Sequence, residues 1–407
     1  MWRREAPHVL AALLRRSGDM ATCEDAVQLA LLAAAEQWPR EGLPKEPRAW
    51  LRTVATRRLV DAVRADASRR AREERAFLLE EPLHGADGPE STSAGEDLLG
   101  LLVLCAHPAL SPASQTALML RAVAGLRTAE VAECFFVPEA TMAQRISRAK
   151  ATLRAHGARF APPLPEELPS RLHAVRHVVA SMYSQDHSLT ERGRGADPLL
   201  GQGAVRLARA VHAARPGDPE SAGLLALLLL THARAAARRD GAGEIVPLLD
   251  QDRTLWDAAR IAEGISLLEE VLPVGPVGPF QLQAAIAAVH AEAPTGEATD
   301  WPQILELYRM LEQVEPTPSV RLGLAVATAE VQGPRAGLDL LAAADGRTHR
   351  HDAVEGHLLA RLGRHREARE AFLRAADATR SLPEQRYLLR LAGASGGERG
   401  RHGGMDP

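Results

Sequence analysis

The stretch Pro138-Glu-Ala-Thr-Met-Ala-Gln-Arg-Ile-Ser-Arg-Ala-Lys150 decides how this chain is read. Met142, Ile146, Ala149 and Leu153 recur at intervals of four, three and four, which predicts one helical stripe turned to a core. Thr141, Gln144, Arg145 and Arg148 stand at i, i+3, i+4 and i+7, on a different face of the same helix. Hydroxyl, amide and guanidinium groups read base edges and hold phosphates, so this second face suits a DNA major groove. The periodicity alone belongs to any amphipathic helix; the segments ahead of it narrow the choice. Phe136-Val-Pro-Glu139 predicts a turn, and Thr128 is expected to cap a short helix before it. Further upstream, Ser111-Pro112 reads as an N-cap followed by proline at the first helical position. The spacing is that of a helix-turn-helix, within a domain of about four helices between residues 98 and 155.

Composition points the same way. Hydrophobic residues make up 46% of the 407-residue chain but aromatics only 3%, so Ala and Leu must form the cores by close helix packing, and an all-α fold is expected. That length predicts two to four domains at roughly 100 to 200 residues each. The net charge of −3 excludes a protein that is basic all over, so nucleic-acid contacts must be local patches. Lys45 and Lys150 are the only lysines; every other cation of that class is arginine. Cys23, Cys105 and Cys134 are far apart and lack the spacing of a zinc site or disulfide framework, which fits a reducing cytoplasm. The apolar runs at residues 9–14 and 223–230 fall well short of the ~20 residues of a membrane span, so a cytoplasmic chain without membrane contact is expected.

Working outward, residues 7–75 show helical periodicity interrupted at Trp38-Pro-Arg-Glu-Gly-Leu-Pro-Lys-Glu-Pro47. The last helix of that domain is expected to begin near Pro47 and run to Arg64. Its wheel puts Trp50, Thr53, Arg57 and Arg64 on one face, with Arg58 beside them, and Leu51, Ala55, Leu59 and Ala62 inward. From Arg48 to Arg75 nine arginines face four acids, a basic patch on an acidic chain. A ring for stacking among phosphate-binding guanidiniums suits single-stranded DNA; the bland counterpart is a solvated Arg-rich helix with a core tryptophan. Residues 84–97, rich in Gly, Ser and acid, predict a linker. Past Ala161-Pro-Pro-Leu-Pro165, helix follows helix to about residue 393 in the manner of a repeat array. Within it, Gly356, Gly363, Ala368, Phe372 and Ala375 of residues 349–383 match the small and large positions of a tetratricopeptide motif. The division expected is thus 1–80, a linker at 81–97, 98–160, 161–393, and a disordered tail at 394–407.

Taken together, residues 1–155 resemble regions two and four of extracytoplasmic-function (ECF) RNA polymerase sigma factors. Asp25-Ala-Val-Gln28 is similar to the family helix that docks on the polymerase clamp, although Leu29-Ala-Leu31 follows where the family carries an acid and an aromatic. The segment from Trp50 to Arg64 is similar to the one that captures the melted downstream promoter element, and Pro138 to Lys150 resembles the recognition helix for the upstream element. His107-Pro-Ala-Leu-Ser-Pro112, Asp250-Gln-Asp-Arg-Thr-Leu-Trp256, Gly278-Pro-Phe-Gln-Leu-Gln-Ala-Ala-Ile-Ala-Ala-Val-His-Ala-Glu292 and Asp300-Trp-Pro-Gln-Ile304 resemble the subgroup with a tetratricopeptide-like (TPR-like) extension. The resemblance implies core RNA polymerase and promoter DNA as partners. It assigns Asp25 and Gln28 to polymerase, Trp50, Thr53, Arg57, Arg58 and Arg64 to the downstream element, and Thr141, Gln144, Arg145, Arg148 and Lys150 to the upstream one. It also implies an extension that influences activity, and a protein or peptide partner on the repeats is a further expectation.

Enzyme chemistry finds little support. Gly193-Arg-Gly195 and Gly201-Gln-Gly203 fail both nucleotide fingerprints by spacing and follow no strand pattern. His349 and His351 lie two apart, unlike a metal-binding i, i+4 pair, and the histidines read as surface residues. No cofactor, metal or catalytic residue is expected. A rival from another class is a protein-interaction scaffold whose sigma-like half has lost its docking function, as Leu29 and Leu31 would suggest.

Overall fold

The computed structural model describes residues 2–73, 94–135, 137–158, 160, 164, 166–190, 198–343, 347–379 and 381–396. Their regular elements are helical, apart from one isolated antiparallel bridge between Arg239 and Ile245. They form two bodies, one of Met1–Met182 with Gln202–Arg215, the other of Tyr183–Gly201 with the chain from Pro216 onward.

The first body opens with α1 (Trp2–Ser17), α2 (Met20–Glu41) and α3 (Pro47–Glu73). Gly18, at φ +70°, ends α1 in a conformation that costs an L side chain, and the Asp19 side chain then caps α2 by accepting from the Ala21 N–H. Leu10, Leu13 and Leu14 of α1, Cys23, Ala26 and Ala30 of α2 and Leu51, Ala55 and Leu59 of α3 are buried. The alanines let the three helices close in, and each buried leucine contributes roughly 1.5 to 3 kcal/mol of transfer free energy. Two expectations change here. The break assigned to residues 38–47 starts only at Gly42, because α2 continues through Pro39, and Trp38 packs edge-on against Trp50 at 5.5 Å, which anchors the final turn. Ala62, expected inward, is exposed, whereas Leu51, Ala55 and Leu59 are buried as expected.

Four helices follow: α4 (Ala94–Cys105), α5 (Pro112–Ala122), α6 (Thr128–Phe135) and α7 (Glu139–Ala155). The first begins inside the segment read as linker; the remainder of residues 84–97 lies outside the described residues. Ser111 caps α5 as predicted, accepting from the Ser114 N–H at 3.3 Å. Thr128 is not a cap: it is already helical, and the Glu130 carboxylate reaches back to accept the Arg127 N–H at 2.7 Å. Met142, Ile146, Ala149 and Leu153 are all buried, as their spacing requires.

The proline-rich break near residue 161 does not end this body. The first part of α8 (Leu168–Thr190) and most of α9 (Pro198–Ala214) belong to it. A Cβ on Gly203 of α9 would meet Leu120 at 3.7 Å and Leu126 at 3.9 Å, so α9 covers the core of the helix-turn-helix.

The second body stacks α10 (Pro219–Ala233), α11 (Ala258–Val271), α12 (Pro279–Glu292), α13 (Trp301–Val314), α14 (Pro318–Gln332), α15 (Pro334–Ala342), α16 (His349–Arg361), α17 (His365–Ala378) and α18 (Leu382–Gly396). Prolines in the first turn of α10, α12, α13, α14 and α15 start these helices. The tetratricopeptide reading of residues 349–383 holds: a Cβ on Gly356 would lie 2.7 Å from the buried Phe372 ring, and Gly363 turns the chain at φ +72°. Residues 394–396, read as tail, continue α18; residues 397–407 lie outside the described residues. Trp256 is buried beneath the Arg253 guanidinium, 4.5 Å from the ring, while Arg253 donates to the carbonyls of His290 at 2.6 Å and Ala293 at 2.7 Å. His232 and His351 are buried rather than at the surface, His232 against Tyr183 and His351 against the Leu341 carbonyl at 2.9 Å. No described helix is long and apolar enough to cross a membrane.

Candidate promoter and polymerase interface

In the first body α3 presents Thr53, Arg57, Arg58 and Arg64 to solvent, and Thr53 spends its hydroxyl on the Ala49 carbonyl at 2.9 Å. Trp50 is half-buried by its contact with Trp38, leaving part of the ring beside the arginines. The structure therefore brings the five residues expected to hold the downstream element onto one surface of one helix. On α2, Asp25 is exposed and Gln28 half-buried, and Leu29 and Leu32 are exposed beside them.

On α7, Thr141, Gln144 and Arg148 are exposed. Arg145 is half-buried, its guanidinium 5.3 Å from the centre of the Phe135 ring, which fixes the direction of the side chain. Lys150 does not join them. At roughly 100° per residue it stands half a turn from Thr141, and its ammonium lies 2.5 Å from Glu24 on α2. The Arg121 guanidinium approaches the other oxygen of Glu24 at 2.9 Å, and Arg154 reaches Asp19 at 2.5 Å. Burial raises the Asp19 carboxyl, but hydrogen bonds from Thr22 and Arg154 outweigh it and hold the group below the ordinary aspartate value. Glu24, Asp19, Arg121 and Arg154 were not legible as a set, because their partners lie about a hundred residues apart. Beside them, burial pushes the Cys23 thiol up to about 11 and that of Cys105 higher still, so neither is a thiolate at neutral pH.

The described N-terminal helices thus combine α2 with its exposed Asp25, Leu29 and Leu32, an Arg-lined face on α3 and a helix-turn-helix. Residues 1–69 match the family model of sigma-70 region 2, and residues 100–153 match that of sigma-70 region 4. This chain belongs to the sigma-70 family. Residues 171–272 of the sigma factor match a family of unknown function, DUF6596, which fits the subgroup with a C-terminal extension. It is 39% identical over 393 residues to the uncharacterized protein R00370 of Rhizobium meliloti, covering 94% of this chain and 92% of that one. Over 219 residues it is 30% identical to the ECF RNA polymerase sigma factor SigJ of Mycobacterium tuberculosis, covering 50% of this chain and 66% of that one. No solved structure matches it.

One cluster in the second body has the outline of a metal site. His351, Asp352 and Glu355 bring ligand atoms close together. The carboxylates are already taken: Arg347 lies 2.7 Å from Asp352 and 2.6 Å from Glu355, and Arg374 lies 3.2 and 2.7 Å from the same two groups. A divalent ion would have to displace two guanidiniums, so the cluster reads as an ion-pair network tying α16 to α17.

Proposed function

We propose that this sigma factor docks on core RNA polymerase through α2 around Asp25 and Gln28, and holds the melted downstream promoter strand on the α3 face of Trp50, Thr53, Arg57, Arg58 and Arg64. Thr141, Gln144, Arg145 and Arg148 of α7 read the upstream element in a major groove. The extension modulates this activity, with its repeats available to a protein or peptide. The observation that carries the reading is α7 itself: an exposed polar face beside a fully buried Met142–Ile146–Ala149–Leu153 stripe, on a chain with both sigma regions. Nothing in these roles calls for covalent chemistry, and sigma factors are not enzymes.

The test is competition for core polymerase. The full chain is expected to bind core enzyme and displace a principal sigma factor, and comparison with a form lacking the extension gives the sign of the extension's effect. Failure of both forms to bind would reject the assignment and favour a repeat scaffold with a degenerate sigma-like half.

A further inference from the structure

In the second body, the end of α10 and residues 250–256 bring two arginines to one indole. The Arg253 guanidinium lies 4.5 Å and that of Arg234 5.9 Å from the centre of the Trp256 ring. Arg253 spends one nitrogen on the carbonyls of His290 and Ala293 at the end of α12, which accounts for its place in the fold. Arg234 has no such partner: its side chain makes no hydrogen bond and no ion pair among the described residues. Burial, with the charges of Arg238 and Arg253, pushes its pKa down to about 10. The acids nearby are committed elsewhere. Asp252 accepts from the Thr254 N–H and hydroxyl at 2.9 and 2.6 Å, and Asp257 caps α11 and pairs with Arg260 at 3.2 Å. Glu297 acts on Arg253 only from an exposed position, where Thr295 holds it. Donors are left over as well: Trp256 Nε1 and Arg253 Nη2 are buried without a hydrogen bond, and so is Nδ1 of His290. Burial and the two arginines hold His290 down to about 4, so it is neutral at pH 7 and adds no charge of its own. Buried donors are ordinarily paired, and part-buried cations ordinarily meet an acid. A small group that is negative and accepts through several oxygens would satisfy this whole set.

We propose that Arg234, Arg253 and Trp256 form a binding site for the oxyanion of a small molecule, a phosphate or carboxylate group that accepts from both guanidiniums and from the indole N–H. A guanidinium offers a fork of donors that fits two oxygens of either group. Arg234, Arg253 and His290 are each half-buried, so the cluster borders solvent. The Arg234 side chain, held by no hydrogen bond, moves to admit the ligand, while Arg253, fixed by two carbonyls, keeps its place against the Trp256 ring. The ligand brings the negative charge that the local acids do not supply, and by mass action it stabilises the folded chain. Arg234 is thus a residue whose removal relieves an unanswered charge and costs binding, the reverse of a packing residue. The site lies wholly in the second body, so it stands or falls separately from the polymerase and promoter roles of the first.

The experiment titrates the full chain with orthophosphate and, separately, with succinate by calorimetry in a low-chloride buffer, and records the melting temperature with and without each anion. It compares the wild type with Arg234→Met, Trp256→Phe and the control Arg335→Met, which removes an exposed arginine from α15. The wild type is expected to bind at least one of the two anions at a single site and to melt higher in its presence. Binding of phosphate alone assigns a phosphate ester as the ligand class, and binding of succinate alone a carboxylic acid; binding of both leaves the site an oxyanion site of either kind. Arg234→Met keeps an apolar stem and is expected to weaken binding by about tenfold or more, because it deletes a charge-assisted contact, while melting no lower than the wild type when no anion is added. Trp256→Phe keeps a ring beneath the Arg253 guanidinium and deletes only the N–H, so it is expected to weaken binding by about threefold, and it decides the matter should Arg234→Met fail to fold. No binding of either anion by the wild type overturns the site. So does wild-type affinity in folded Arg234→Met or Trp256→Phe, or an equal loss in Arg335→Met.

Discussion

At the scale of single residues, the face of α7 divides its cations by task. Arg148 is exposed with no carboxylate beside it among the described residues, Arg145 is braced on Phe135, and Lys150 is held by Glu24. A guanidinium that reads a base edge makes a bidentate contact that only one base pair satisfies. Arg148→Ala is therefore expected to cost ~1 to 3 kcal/mol at one base pair of the upstream element and little elsewhere, measured on a panel of duplexes at fixed salt. A loss equal for all sequences would make Arg148 a phosphate contact instead. Thr141, Gln144, Arg145 and Arg148 were legible because helical spacing alone assigns them to one face. Lys150 was not separable from them until the position of α2 was known, because its spacing does not say which neighbour it meets.

At the scale of elements, the repeats are held by pairs of one small and one large residue. Gly356 of α16 lies where a Cβ would sit 2.7 Å from the Phe372 ring of α17, and that ring is fully buried with Ala368, Ala371 and Ala375 around it. A ring so enclosed has nowhere to move. Replacing a helical glycine by alanine ordinarily gains about 1 kcal/mol of propensity. Here overpacking of roughly 1 to 3 kcal/mol opposes that gain. Gly356→Leu, with a larger clash, is expected to lower the melting temperature of the chain by several degrees, and an unchanged melting temperature would mean that α16 and α17 are not packed as described. The tetratricopeptide spacing showed this pair in the sequence. The same reasoning did not show that α2 continues through Pro39, since a proline near a helix end loses only one backbone bond and a tertiary contact, here Trp38 on Trp50, makes up the difference.

At the scale of the whole molecule, α8 and α9 matter most, because they begin the extension in sequence and yet complete the first body. With Gly203 set against Leu120 and Leu126, a chain ended near Ala161 uncovers leucines that the full protein keeps dry. A truncation after Arg215 is expected to melt cooperatively and at a higher temperature than one after Ala161, as circular dichroism would show; equal melting temperatures would mean that α9 adds nothing to region 4. The sequence by itself determined the all-helical class, the two sigma-like regions, the stripe of α7 and the repeat near residue 356. Each of these rests on periodicity and local chemistry, which act over a few turns of one helix. Only the tertiary structure decided that Glu24 and Asp19 meet Arg121, Lys150 and Arg154, that α9 covers region 4, and that His232 and His351 are buried. Those outcomes depend on which faces come together across about a hundred residues of chain, and no spacing rule within one helix carries that information.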